Sequence, residues 1–139
     1  MSPTYLVDTN ILSEPTRVTP NPSVVRLLEA RRHLICTAAL VFNEILFGFL
    51  RLPPSAKQRK ATFYLSEVLE GLIPILPYDQ EAARWHAIQR ARLERIGRRP
   101  PYIDGQIAAI ATVNELILVT DNLSDFLDFE DLVLENWAD

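Results

Sequence analysis

Hydrophobic positions in this chain fall into short runs separated by longer helical patterns. Short apolar runs bounded by polar or turn residues predict strands, and longer stretches with apolar residues every three or four positions predict helices. The predicted strands cover residues 5–8, 33–36, 72–76, 116–120 and 132–135. The predicted helices cover residues 22–31, 38–50, 54–70, 79–96 and 101–115. Strands that alternate with helices in this way predict an α/β fold, with a central parallel sheet flanked by helices on both faces.

Individual residues mark where the helices are expected to begin and end. Thr37 and Asp79 precede helical runs, where hydroxyl and carboxylate side chains commonly cap the first turn. Gly71 and Gly97 stand where helices are expected to stop. No repeat or flexible linker divides the chain, so residues 1–139 are expected to form a single domain in which only the last few residues look dispensable.

One predicted helix is unusually apolar. Between residues 38 and 50 only Asn43 and Glu44 are polar, which predicts a largely buried helix. The run is shorter than the ~20 residues that span a bilayer, and its polar residues argue against a membrane helix. Asp8 and Asn10 interrupt the first apolar segment too early for a signal peptide. A cytoplasmic protein without membrane association is therefore expected.

Charge is divided unevenly along the chain. The net charge is −4, yet every Lys and Arg lies at or before Arg99, and residues 100–139 contain nine acids. The first 99 residues carry 14 basic and nine acidic groups. This asymmetry is compatible with an acidic wall that holds cations opposite a basic surface that holds phosphates, and equally with two solvated faces.

Acidic side chains stand at the predicted edge of the sheet. In a parallel α/β sheet, ligands bind at the carboxyl ends of the strands, where the strand order reverses. Asp8 and the cluster around residues 121–125 directly follow strands, while Glu44 and Asp104 come from adjoining helices. Buried carboxylates are costly unless they are paired or bind a cation, so the set predicts a divalent-metal site. Two simpler roles stay open: Asp104 as a helix-start acid, and Glu44 as the partner of an arginine.

Four segments in this order and spacing resemble the PIN domain, in particular its VapC-type and FitB-like members. Together they extend over most of the chain, and they are LVDTNILSE at 6–14, NEILFG at 43–48, YIDGQIAAIA at 102–111 and LVTDNLSDF at 118–126. The resemblance implies a small metal-dependent endoribonuclease, the toxin of a bacterial toxin–antitoxin pair. It also implies RNA as substrate and a cognate antitoxin as partner.

The resemblance assigns Asp8, Glu44 and Asp104 to the catalytic and metal-binding acids, with Mg²⁺ or Mn²⁺ as the cofactor. Family members that have a fourth acid usually place it two residues beyond the threonine of the last segment, where this chain has Asn122, and Asn is also common there in the resembling sequences. An Asn carbonyl can bind Mg²⁺ but adds no negative charge. Asp121 and Asp125 flank this position and could supply the missing charge. Thr9, Asn10 and Thr120 are expected to orient the site.

Two further surfaces are candidates for binding. Arg98 and Arg99, at the end of the fourth long helix, are expected to hold the RNA backbone, although a solvated helix end explains them equally well. The region 38–65 has more aromatic rings than a small core needs, which predicts a homodimer surface or a groove for an antitoxin helix. Those rings are Phe42, Phe47, Phe49, Phe63 and Tyr64.

Other classes of protein fit less well. A receiver domain requires a lysine after a late strand, and a haloacid-dehalogenase-type phosphatase requires an aspartate where Asn10 stands. His33 and His86 have no metal-binding partners nearby in sequence, and Cys36 lies in an apolar run, so all three are expected to be structural. The principal alternative is a PIN-like module that binds RNA or protein without catalysis.

Overall fold

A parallel sheet of five strands forms the centre of the chain, which a computed structural model describes over residues 2–138, apart from the side chain of Val68. The strand order is β3-β2-β1-β4-β5, and all neighbouring strands run parallel. The strands are β1 (Tyr5–Val7), β2 (Ile35–Ala38), β3 (Ile75–Leu76), β4 (Ile117–Val119) and β5 (Val133–Glu135). All four residues of β2 are buried, as expected of a strand covered on both faces. The predicted α/β fold is confirmed.

Helices connect the strands. They are α1 (Thr9–Leu12), α2 (Pro22–Ala30), α3 (Ala39–Leu50), α4 (Ala56–Tyr64), α5 (Gln80–Arg95) and α6 (Tyr102–Val113). A π-helical segment, Leu65–Glu70, continues α4. The five predicted helices are present, whereas α1 was not predicted because one turn is too short to produce a hydrophobic period.

The second strand begins later than predicted. Residues 33 and 34 belong to the 3-10 turn Arg32–Leu34, so His33 does not open a strand. Thr37 lies inside β2 and does not cap α3; its hydroxyl donates to the carbonyl oxygen of Val7 at 2.8 Å. A buried hydroxyl needs an internal partner, and the neighbouring strand provides one.

Helix ends follow the predicted signals at two positions and depart from them at a third. The side chain of Asp79 accepts from the backbone N–H of Ala82 at 2.9 Å and caps α5. Gly97 follows α5 with φ +78°, the left-handed conformation that favours glycine. Gly71 has φ −83° and helical structure continues through residue 72, so the prediction of a stop there was wrong.

The apolar helix α3 is less buried than predicted. Only Val41 and Ile45 are buried, while Phe47 is 61% and Leu50 60% exposed. Glu44 is also exposed. An apolar composition indicates that a helix is to be covered, but it does not show whether its own core or a partner covers it. It therefore did not distinguish a core helix from one whose apolar face is open to solvent. Across residues 2–138, none of the helices has both the length and the hydropathy needed to cross a bilayer.

The C-terminal segment is part of the core. Trp137 is 3% exposed and its ring packs edge-on against Tyr5 at 5.2 Å between centroids. Ser23 donates to the carbonyl oxygen of Trp137 at 3.0 Å, and Asn21 donates to that of Ala138 at 2.8 Å. The expectation that the last residues are dispensable was therefore wrong, since these bonds hold α2 to the end of the chain.

Candidate active site

The carboxylate of Asp8 lies where the strand order reverses, between the ends of β1 and β4. Asp8 follows β1 and is 7% exposed. One carboxylate oxygen accepts from the backbone N–H of Thr9 at 2.8 Å, and the other accepts from the Thr120 hydroxyl at 2.9 Å. Thr120 follows β4 and is itself fully buried. Both oxygens of Asp8 are thus fixed by the two central strands.

Glu44 reaches this edge from α3. Its carboxylate accepts from the hydroxyl of Thr9 at 2.7 Å. Thr9 therefore touches two acids at once, Asp8 through its backbone and Glu44 through its side chain. Across the described residues, no Lys or Arg forms an ion pair with Glu44, so the alternative role as an arginine partner has no support.

Asp104 lies in the first turn of α6 and is partly buried. Burial, followed by the negative charges of Asp8, Asp125 and Glu44, raises the pKa of Asp104 to about 6. Charges interact in this way only over short distances, because solvent and salt screen more distant ones. Acids from four separate segments therefore share one electrostatic environment.

The pKa of Asp8 is also raised. Burial is the main cause, and the charges of Glu44 and Asp121 add to it. The hydrogen bonds from Thr9 and Thr120 act in the opposite direction, because they favour the ionised form. When these acids are ionised they repel one another, and a bound cation would reduce that repulsion.

Two loops that carry the remaining candidates are joined by hydrogen bonds. The side-chain oxygen of Asn10 accepts from the backbone N–H of Asp121 at 3.3 Å, and this bond links the loop after β1 to the loop after β4. The hydroxyl of Thr120 accepts from the backbone N–H of Asn122 at 3.1 Å. The side chain of Asn122 is exposed and makes no capping bond to the turn that follows.

Asp125 ends the 3-10 turn Leu123–Asp125. Its backbone N–H donates to the carbonyl oxygen of Asn122 at 3.1 Å. Its partly buried carboxylate lies close enough to Asp104 to raise the pKa of that residue.

The acids fit a divalent ion of the magnesium type better than a closed metal cage. No group of three or more His, Cys, Asp or Glu side chains among residues 2–138 is close enough together to enclose a metal ion. Mg²⁺ does not require such a group, because it keeps several waters and uses one or two carboxylates together with substrate phosphates. In the same part of the chain no basic side chain forms an ion pair with Asp8, Glu44 or Asp104.

Comparison with known families decides the classification of this site. The family model described as "PIN domain" matches residues 5–130. The chain belongs to the PIN domain family. The matched range contains every acid described above, from the strand end at Asp8 to the turn at Asp125.

Individual relatives are similar over almost their full length. The chain is 29% identical over 137 residues to "Toxin FitB" of Neisseria gonorrhoeae, covering 96% of this chain and 99% of that protein. It is 28% identical over 137 residues to "tRNA(fMet)-specific endonuclease VapC" of Shigella flexneri, covering 96% and 98%. The crystal structure of FitAcB from Neisseria gonorrhoeae superposes with a TM-score of 0.86 at 28% identity, covering 96% of this chain and 97% of that one. These proteins share the fold of this PIN domain.

The predicted RNA-binding arginines have different surroundings. In this PIN domain Arg98 forms an ion pair with Asp128, which ties the end of α5 to the C-terminal region. Arg99 is exposed beside a cleft of about 290 Å³ that also contains Arg90 and Glu94. The charge of Arg98 is therefore partly neutralised, while that of Arg99 is available.

A second group of basic residues in the PIN domain was missed by sequence reasoning. Arg17 and Lys57 line the same cleft as Glu44, and both also line neighbouring clefts together with Lys60. Lys57 and Lys60 are spaced three apart on α4, and this spacing on one helix face was a usable signal. Arg17 comes from an irregular proline-containing loop, and nothing in the local pattern connects it to α4.

Proposed function

We propose that this protein is a metal-dependent endoribonuclease and the toxin of a toxin–antitoxin pair. The observation that carries this proposal is that Asp8 and Glu44 meet at Thr9, with Asp104 close enough for their charges to contribute, after burial, to its raised pKa. Membership of the PIN family and the names of the relatives, a toxin and a tRNA endonuclease, support the same assignment. A cytoplasmic location is part of the proposal, because RNA is the proposed substrate.

Asp8, Glu44 and Asp104 are proposed to hold Mg²⁺ or Mn²⁺. PIN nucleases generally depend on divalent metals, and carboxylate oxygens are the ligands that such hard cations prefer. When bound, the ion activates water and stabilises the charge that develops on the phosphate and the leaving oxygen. The chain's own contribution is to fix the acids in position, through Thr120 for Asp8 and Thr9 for Glu44.

The fourth position of the site combines an amide with nearby carboxylates. Asn122 offers a carbonyl oxygen, and Asp125 adds negative charge beside Asp104. Asp121 adds charge on the side of Asp8, and its loop is held by Asn10. We assign Asp121 and Asp125 to supporting the metal, because neither has another ionic partner within residues 2–138.

The antitoxin and a second copy of the chain are the proposed protein partners. Phe47, Leu50 and Phe63 are each at least 60% exposed, so α3 and α4 present apolar side chains to solvent. Exposed apolar patches of this kind mark interaction sites. A homodimer or an amphipathic antitoxin helix would bury them. Sedimentation of the purified chain at micromolar concentration tests the dimer, and a monomer would contradict it.

A non-catalytic PIN module that binds RNA or protein is the second candidate. It is favoured by one observation, the neutral side chain of Asn122 at the position where family members with a fourth acid place that acid. The intact set of Asp8, Glu44 and Asp104 opposes it, since a binding module has no need for three mutually repelling acids.

Cleavage of RNA tests the proposal. End-labelled total RNA is incubated with the purified chain in Mg²⁺ or Mn²⁺, in EDTA, and with Asp8→Asn as a control for contaminating nuclease. We expect discrete products with a 5′-phosphate and a 3′-hydroxyl, which appear only with metal and disappear in Asp8→Asn. A 2′,3′-cyclic phosphate product would exclude metal-assisted hydrolysis by water. Equal cleavage by both proteins, or binding without cleavage, would favour the non-catalytic module.

A further inference from the structure

A trough of positive charge leads away from the acidic site. One cleft of about 420 Å³ is lined by Thr9 and Glu44 and also by Arg17 and Lys57. A second cleft of about 770 Å³ shares Arg17 and Lys57 with the first and continues over α4. The two clefts are therefore continuous, and we define the basic trough by the cations that line it, which are Arg17, Lys57, Arg59 and Lys60.

The cations of the trough are available to an external ligand. Lys57, Arg59 and Lys60 are exposed and form no ion pair with any acid in the described part of the chain. Arg17 pairs with the buried Glu14 at 3.2 Å, yet half of its side chain, 52%, is open to solvent. The Glu14 contact anchors Arg17 at the mouth of the trough without enclosing it.

The orientation of the trough links it to the site of cleavage. Lys57 lies in the first turn of α4, and Lys60 follows on the same helix face. The cleft that contains Lys57 also contains Glu44, whose carboxylate accepts from the hydroxyl of Thr9 next to Asp8. A strand whose phosphate lies at the acids can therefore continue past Arg17 towards Lys60, with cations along its path.

We propose that the basic trough holds the sugar–phosphate backbone of the RNA strand on one side of the bond that is cut. This inference rests on the proposed ribonuclease function and adds the direction in which the substrate leaves the site. An RNA strand fits better than an acidic protein segment, because it carries a negative charge on every nucleotide and can meet each of the cations along the trough. Arg98 contributes less, because its charge is shared with Asp128.

Direct RNA binding, measured apart from catalysis, tests the trough. A fluorescein-labelled single-stranded RNA of mixed sequence is titrated with Asp8→Asn protein in EDTA, so that no cleavage occurs. The trough variant is Lys57→Gln/Lys60→Gln in this background. The control is Arg84→Gln, which removes a cation from an exposed position of α5 outside the trough. Lys57 and Lys60 are exposed, so their loss should leave the thermal unfolding curve unchanged.

We expect the trough variant to bind RNA roughly 10-fold more weakly at low salt. The slope of log affinity against log salt should fall by about 1.4, because each phosphate contact on a single strand contributes about 0.7. The control should match its parent in both quantities. Unchanged affinity and slope in the trough variant would overturn the proposal, as would an RNA affinity that is unchanged while antitoxin binding is lost.

The RNA-binding measurement tests the trough whether or not the protein is a nuclease. If wild type fails to cut RNA but RNA binding depends on Lys57 and Lys60, the proposed nuclease function is wrong and the proposal that the trough binds RNA is supported. If wild type cuts RNA in Mg²⁺, and Lys57→Gln/Lys60→Gln changes neither cleavage when made in wild type nor RNA binding when made in Asp8→Asn, the trough proposal is wrong and the catalytic assignment is unaffected.

Discussion

The imidazole ring of His86 occupies the space that a side chain at Gly105 would need. A β-carbon built on Gly105 would lie 2.8 Å from Cδ2 of His86 and closer still to Nε2. His86 is 2% exposed, and its Nδ1 is hydrogen-bonded to the hydroxyl of Tyr78 at 2.9 Å. The ring cannot retreat without breaking this bond, so α5 sets the position of α6 one residue after Asp104.

Replacement of Gly105 by alanine should therefore destabilise the protein. Overpacking of a buried site costs roughly 1–3 kcal/mol, and the helix propensity gained by alanine, about 1 kcal/mol, offsets it only in part. We expect a net loss of about 1 kcal/mol in urea unfolding and slower RNA cleavage, because the first turn of α6 must shift. Gly48→Ala on α3 is the matched control, since a β-carbon there meets no atom within 4 Å. That variant should be at least as stable as wild type, and equal effects at both glycines would contradict the explanation.

Acid should destabilise the protein through His86. Burial, together with the nearby charge of Arg90, lowers the pKa of His86 below its usual 6.5. The unfolded chain then binds a proton that the folded chain does not, so stability is present above pH 6.5 and is lost as the pH falls below it. The other groups that face the ring are the hydroxyl of Tyr78 and the ring of Tyr102.

The pH dependence of urea unfolding between pH 7 and 5 measures this effect. His86→Gln should be less stable at neutral pH but should lose less stability on acidification, by up to about 1.4 kcal/mol per pH unit. His33→Gln provides the control, because His33 is exposed in the turn before β2. A pH slope that is the same in all three proteins would show that His86 does not titrate in this way.

Loss of the Thr120 hydroxyl should impair the site more than loss of its methyl group. The hydroxyl donates to one oxygen of Asp8 and accepts from the backbone N–H of Asn122, so Thr120→Val leaves that oxygen and that N–H without this partner. Groups that orient metal ligands typically affect metal affinity or activity by about 10- to 100-fold. We expect Thr120→Val to require a higher Mg²⁺ concentration for half-maximal cleavage, and Thr120→Ser to stay near wild type. An unchanged Mg²⁺ requirement in Thr120→Val would remove the residue from the site.

Neutralisation of Asp104 should stabilise the metal-free protein. Because the folded-state pKa is raised from 3.8 to about 6, ionisation of Asp104 reduces stability as the pH rises through that window. At pH 7.5 in EDTA, Asp104→Asn should gain on the order of 1 kcal/mol after solvent screening is allowed for. Below pH 4 the gain should vanish.

Thermal unfolding with and without Mg²⁺ checks this prediction. Ligand that binds only the folded state raises stability by mass action, so Mg²⁺ should stabilise wild type more than Asp104→Asn. Glu94→Gln on the exposed face of α5 serves as the control for removal of a negative charge. A less stable Asp104→Asn in EDTA would contradict the charge repulsion described above.

The sheet could be predicted because its strands are short, apolar and separated by helices of ordinary length. Asp8 follows β1 and Thr120 follows β4, so their placement at one edge follows from parallel topology alone. The exposure of Phe47 could not be predicted, since a surface that awaits a partner has the same composition as a core. The same limit applies to Glu44, which is exposed although its helix is apolar.

Contacts between distant segments were beyond sequence reasoning. The fit of His86 against Gly105 depends on how α5 crosses α6, and neither residue carries a local signal of it. Arg17 likewise lines the same cleft as Lys57 only because of the path that the chain takes after α1. Periodicity records which face of an element is buried, and it leaves open which other element covers that face.

The bond between Thr120 and Asp8 joins residues 112 positions apart, and this separation has a consequence for the time at which the protein becomes active. A ribosome makes β1 and Asp8 first, but β4, which completes one side of β1, emerges only after most of the chain. Domains assemble as their segments become available during synthesis. A nascent chain that has not yet reached Thr120 lacks the donor to one oxygen of Asp8, so we expect nuclease activity only after β4 has been made.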